Sequence, residues 1–184
     1  MQTVTLNQIR AQGPCKGGYL TALIAMGHIS ARYASRIKDD IPYSLKELDD
    51  PTPRNIEDLA KKVGLLNTAW AIRLATKNNA LYRRYAVWCL ETVLTDDKYK
   101  ACIAKLYKDK AVDIPDTLFI ESPLPITSAI QTCSSLCVYK DEPRTHLSSS
   151  IVSVLNSLSK STNYNEDILL KQLIAIIIAN EWVN

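Results

Sequence analysis

All five glycines of this chain, Gly13, Gly17, Gly18, Gly27 and Gly64, precede residue 65, and the 120 residues that follow contain none. Glycine supplies positive-φ turns and close backbone approaches at no steric cost. A glycine-free stretch of that length therefore has to run as helices joined by polar or proline-marked connections. The expected fold is all-α, a single-domain bundle of about seven to nine helices. The same distribution withholds the glycine-rich loops with which many enzymes cradle phosphate. At 184 residues, 47% of them hydrophobic, the chain can enclose one core and is too short to require two domains. Within that domain, residues 1–108 read as an N-terminal helical layer, 109–125 as a connector marked by Pro115, Pro123 and Pro125, and 126–184 as C-terminal helices.

The spacing of apolar residues places the helices. Thr5 is positioned to cap a short helix from Leu6 to Ala11 that stops at Gly13-Pro14, and a second is expected over Tyr19 to Met26, ending at Gly27. Residues 28–54 are less regular, although Ser44 and Glu47 have the form of a capping box. Ile56, Leu59, Ala60 and Val63 then recur at i, i+3, i+4 and i+7 up to Gly64, and the next helix is expected from Asn67. Further helices are expected over 80–94, where Leu81, Tyr85 and Trp88 form an aromatic ridge, and after Thr95-Asp96-Asp97, with Cys102, Ile103 and Leu106 inward. Thr117 to Ile120 reads as a brief extended piece, and helices follow at about 126–139, 146–159 and 165–182. The last is apolar nearly all round, so it must lie centrally or against another molecule. The strings around Trp70 and Trp88 echo one another eighteen residues apart, as matched knobs on an antiparallel helix pair would.

Little in the sequence suggests bond-making chemistry. Cys133, Cys137 and His146 offer three metal ligands without the second close pair that a structural zinc site needs, so the cysteines read as buried thiols, with no metal and no cofactor expected. Pro14-Cys15-Lys16-Gly17-Gly18 reads first as a tight connection with Cys15 plugging the core. The competing reading makes Cys15 a nucleophile, favoured by the helix start and Lys16 and served by His28 as base. The adjacent acids Asp39-Asp40, Asp49-Asp50 and Asp96-Asp97 do not converge on one atom and read as caps and solvated turns. The expectation is that the protein is not an enzyme. Five cysteines, an odd number, and an N-terminus opening on Gln2, Thr3 and Thr5 suggest reduced thiols in the cytoplasm. The longest apolar run, Leu173 to Ala179, is far short of the roughly 18–20 residues that span a bilayer.

The charge distribution is more informative than the total of +3, because residues 1–60, 61–112 and 113–184 carry net charges of 0, +7 and −4. Within the basic segment, Arg73, Lys77, Arg83 and Arg84 surround the Asn78-Asn79 turn with Tyr82 among them. One end of a helical hairpin would thus present four cations and an aromatic ring, residue types favoured as interface anchors and able to grip acidic groups. A nonspecific nucleic-acid-binding protein using residues 61–112 is the alternative. If Ile174, Ile177, Ile178 and Trp182 are not all covered within one chain, a homodimer through the C-terminal helix is the usual remedy.

Thr5-Leu6-Asn7-Gln8-Ile9-Arg10-Ala11-Gln12-Gly13-Pro14-Cys15 resembles the opening of a group of bacterial and prophage helical proteins, some of which carry the label immunity protein. The likeness resumes at Asn67 to Arg73 and at Arg83-Arg84-Tyr85-Ala86-Val87-Trp88-Cys89, and it covers residues 1–95. The resemblance implies a small helical protein, often carried by phages or mobile elements, that acts by binding a macromolecule. The expectation is therefore a non-enzymatic inhibitor or immunity factor that blocks a protein partner through Arg73, Lys77, Tyr82, Arg83 and Arg84.

Overall fold

The computed structural model describes residues 3–71, 79–108, 122–138 and 144–179. Among them are ten helices and one two-stranded ladder, so the protein is all-α. Strand β1 (Thr3–Val4) leads into α1 (Leu6–Ala11), α2 (Lys16–Ala25), α3 (Ala31–Ala34) and α4 (Tyr43–Lys46). Strand β2 (Arg54–Asn55) pairs antiparallel with β1, Thr3 opposite Asn55, and passes directly into α5 (Ile56–Ala71). Then follow α6 (Asn79–Val93), α7 (Asp97–Leu106), α8 (Leu124–Val138), α9 (Arg144–Leu158) and α10 (Glu166–Ala179). The excess over the expected helix number comes from α3 and α4, single turns in the stretch that lacked periodicity.

Local chemistry sets most helix starts. Thr5 and Gln8 form a full capping box on α1, Ser30 caps α3, and Asp96 caps α7 through the Lys98 N–H. The capping box expected at Ser44 is absent: α4 starts at Tyr43 behind Pro42, with no side-chain cap. Pro42 fixes the entry φ, which brings Ser44 inside the turn. The helix expected from Asn67 begins at Leu65, immediately after Gly64. Gly64 has φ 80° and ψ 174°, a conformation essentially reserved for glycine, and it breaks α5 into two consecutive pieces.

Two clusters of buried side chains result. The smaller gathers Leu6, Ile9, Tyr19, Leu20, Leu23 and Met26 from α1, α2 and the α2 C-cap, with Ile37, Ile41, Leu45 and Leu48 from the stretch around α4 packed against it. The larger is built from the second half of α5 and from α6 to α10, with Tyr85, Leu90, Ile130, Ile151, Leu155, Leu158, Leu169 and Leu173 fully enclosed. Ile56 packs against both, so α5 is the shared wall. The matched-knob reading of Trp70 and Trp88 does not hold. Trp70 packs into the smaller cluster and Trp88 against the larger, stacked on Tyr85 at 6.1 Å between ring centroids.

Helix α10 packs on α5, and α9 lies against α5, α6 and α8. Leu169, Leu173, Ile176 and Ile177 of α10 are buried within the chain, and Ile174 is 7% exposed. Of the residues tied to a possible dimer, Ile177 belongs to the larger core, Ile174 is nearly enclosed at the edge of a groove beside α5, Ile178 is exposed, and Trp182 lies outside the described residues. The extended piece expected at Thr117 to Ile120, and most of the 109–125 connector, also lie outside them, while Leu124 and Pro125 already belong to α8.

Candidate functional site

Helix α6 carries the basic residues singled out by the sequence, and its packing sorts them. Tyr82 lies on the arc of Tyr85, Ala86, Cys89 and Val93 that faces the larger core, and only 1% of it is exposed. Arg83 shares its side of the helix with Val87 and Leu90 and is 8% exposed. Arg84 points outward on the stripe of Trp88 and Glu91. The expected exposed hairpin end is thus corrected at two positions: Tyr82 is a core residue, and Arg83 meets solvent only at its edge. Arg73 and Lys77 lie outside the described residues.

Where that edge opens, the structure forms a cleft of about 370 Å³ between α6, the end of α7 and α8. Arg83, Arg84 and Tyr107 supply its polar lining, and Ala80, Val87, Leu106 and Cys137 its apolar one. Tyr107 caps the C-terminus of α7 and donates its hydroxyl proton to the Glu91 carboxylate. Burial, the hydrogen bond to Glu91 and the charge of Glu91 all hold the Tyr107 phenol well above its ordinary pKa, while Arg84 nearby pulls the other way. Tyr107 is thus a neutral hydrogen-bonding group at any physiological pH. Two arginines beside apolar lining residues are the side-chain types that suit an acidic group carried on a short apolar stem.

A second polar cluster, which the sequence reading missed, is centred on Asp50. Asp50 is 7% exposed, and its carboxylate accepts from the Thr52 N–H at 2.8 Å and from Arg54 at 3.4 Å, with His28 Nε2 at 2.8 Å. Its own N–H donates to Asn7 Oδ1. Hydrogen bonds from the Thr52 side chain and backbone lead in lowering its pKa to about 2, with Arg54 and His28 adding to them against desolvation. Asp50 is therefore no solvated turn residue. It ties the ends of the 28–54 stretch together, and His28 is committed to it. The same stretch is pinned elsewhere: Arg10 donates to the carbonyls of Lys46 and Leu48, Lys16 to those of Lys38 and Asp39, and the Tyr19 hydroxyl to that of Leu45. Polar residues at positions 7, 10, 16 and 19 were the available signal, but partners up to 43 residues away in sequence cannot be read from spacing.

The cysteines also differ from expectation. Cys15 is exposed and does not plug the core; its sulfur caps α2 by accepting from the Gly18 N–H at 3.4 Å. Cys89, Cys102, Cys133 and Cys137 are buried, and burial pushes the Cys89 thiol up to about 12 and Cys133 well above its ordinary value. His146 is exposed while Cys133 and Cys137 are enclosed, so the three do not meet. Among the described residues no three His, Cys, Asp or Glu side chains are grouped to hold a metal ion, and no helix is long and apolar enough to cross a membrane. No protein-family model, curated protein or solved structure matches the chain.

Proposed function

We propose that the protein is a non-enzymatic binding protein, an inhibitor or immunity factor, that holds an acidic segment of a partner protein at the α6–α7–α8 cleft. The observation that carries this reading is the cleft itself, which Arg83 and Arg84 line together with Val87, Leu106 and Cys137. An Asp or Glu side chain pairs with a guanidinium in a directional, charge-assisted geometry, and exclusion of water by the apolar lining strengthens that pairing. Arg84 would make the first contact from solvent, and Arg83, held in place by its surroundings, would fix the orientation. The resemblance of residues 5–15, 67–73 and 83–89 to mobile-element proteins labelled immunity protein is consistent with such a role.

The test is capture with native and Arg84→Glu baits in cells that carry the gene, followed by reconstitution with the purified candidate. A partner whose affinity for Arg84→Glu falls by about tenfold or more supports the reading. A partner bound equally well by both, or capture abolished by nuclease, overturns it. The second outcome would favour the nucleic-acid reading, in which the exposed Lys98, Lys100, Lys105 and Lys108 of the α7 region give binding that weakens steeply with salt.

A further inference from the structure

The cleft between α6, α7 and α8 has a negative charge at its edge as well as the two positive ones in its lining. Glu91 follows Arg84 by about two helical turns on the same outer stripe of α6. Its carboxylate accepts the hydroxyl proton of Tyr107, and Tyr107 lines the cleft with Arg83 and Arg84. The charge of Glu91 raises the Tyr107 pKa and that of Arg84 lowers it, so both lie within electrostatic reach of one phenol. A single hydrogen bond thus separates the Glu91 carboxylate from the wall of the cleft. The apolar lining adds no charge, since Cys137 is enclosed and its thiol donates to the Leu106 carbonyl at 3.5 Å. Lys105 and Lys108 are exposed on the α7 side and do not line the cleft. Among the described residues, two guanidinium groups and one carboxylate leave one positive charge uncompensated there.

The geometry points to Glu91, held in place by Tyr107, as the residue that sets which anion the cleft accepts: a carboxylate in preference to a phosphomonoester on a similar stem. This inference rests on the proposed partner cleft and narrows its ligand to an unphosphorylated Asp or Glu side chain. Two arginines alone suit a phosphate as well as a carboxylate, so the discrimination has to come from a third charge. An anion's attraction to a fixed site grows in proportion to its charge, whereas the cost of removing its water grows as the square of that charge. A carboxylate neutralises the one uncompensated positive unit. A phosphoserine side chain carries close to two negative charges above neutral pH, is costlier to dehydrate, and leaves an excess of negative charge beside Glu91. Because Glu91 is exposed, solvent screens it to an effect of about threefold in affinity per unit of ligand charge. The effect on a dianion is then about tenfold, the square of that on a monoanion.

Titration of the full chain with N-acetyl-aspartate amide and N-acetyl-phosphoserine amide, at about pH 8 and low salt and followed by backbone amide chemical shifts, provides the test. The native protein is expected to bind the aspartate probe more tightly, with shifts centred on α6, the end of α7 and α8 that are lost in Arg84→Gln. Glu91→Gln should bind the aspartate probe about threefold and the phosphoserine probe about tenfold more tightly, moving their affinity ratio about threefold towards phosphate. A gain of affinity is a result that misfolding does not mimic. Tyr107→Phe keeps the ring and releases Glu91, and should move the ratio the same way by a smaller factor. A phosphoserine probe that binds the native protein as well as the aspartate probe or better, or a ratio unmoved by Glu91→Gln, overturns the inference and leaves the partner cleft standing. A ratio moved by Glu91→Gln and not by Tyr107→Phe overturns the part given to Tyr107. Neither probe shifting those amides, or shifts that persist in Arg84→Gln, overturns the partner reading and the inference with it.

Discussion

Gly64 offers a sharp test of how the two ends of the chain are joined. Its φ of 80° and ψ of 174° lie where an L-residue pays for the clash of its own Cβ with the backbone. A Cβ built there would sit 3.4 Å from Glu166 Oε1, a van der Waals contact that needs little or no rearrangement. The contact is thus the minor effect and the backbone conformation the major one. Strain of this type costs about 1–3 kcal/mol. The restricted unfolded chain of the alanine variant returns about 0.4–1 kcal/mol. The net expectation for Gly64→Ala is a destabilisation of about 1–2 kcal/mol, which in a chain of this size lowers Tm by about 2–8 °C. Thermal and urea unfolding followed by circular dichroism measure it. Glu166→Ala, which removes the acceptor of the Leu65 N–H at 3.1 Å, should cost about 1 kcal/mol. If strain and not collision dominates, the two losses add within about 0.5 kcal/mol in the double variant. An unchanged or raised Tm for Gly64→Ala refutes the strain argument. A strong saving in the double variant would show instead that the Cβ collides with Glu166.

The remaining expectations concern the other polar anchors. Because the Asp50 pKa is depressed to about 2 in the folded protein, its stabilising effect is complete above the ordinary carboxylate pKa and is lost as pH falls from about 4 towards 2. Asp50→Asn should be less stable near neutrality and lose less on acidification, as read by Tm across that range. Tyr85 donates to the Leu169 carbonyl at 2.9 Å inside the larger core, so Tyr85→Phe should cost about 1 kcal/mol in urea unfolding without altering the helix content. Iodoacetamide on the native protein should label Cys15 promptly and Cys89, Cys133 and Cys137 only on unfolding, as peptide mass spectrometry would show. Leu155→Ala, which empties a fully enclosed site between α9 and its neighbours, should cost about 2–5 kcal/mol.

Helix position was legible wherever one face repeated. Ile151, Leu155 and Leu158, and likewise Cys102, Ile103 and Leu106, fall inward as their spacing dictates, because a helix of fixed period has to bury its apolar stripe. The caps at Thr5 and Asp96 were legible for a similar reason, since a capping side chain and its amide lie within three residues of each other. The candidate site was legible in composition and not in exposure. Tyr82, Arg83 and Arg84 are adjacent in sequence, yet successive helical residues point about 100° apart, and only the packing of α6 against its neighbours decides which of the three meets solvent.

What the sequence determined by itself is the all-helical character, because the absence of glycine after Gly64 and the 3.6-residue periodicity are properties of neighbours along the chain. The tertiary structure alone decided that Asp50 is a buried anchor, that Glu166 caps a helix 101 residues earlier, and that Trp70 and Trp88 serve different cores. Each of these rests on a hydrogen bond or contact between residues far apart in the chain. Such pairings depend on how the helices pack, and a one-dimensional pattern carries no record of that packing.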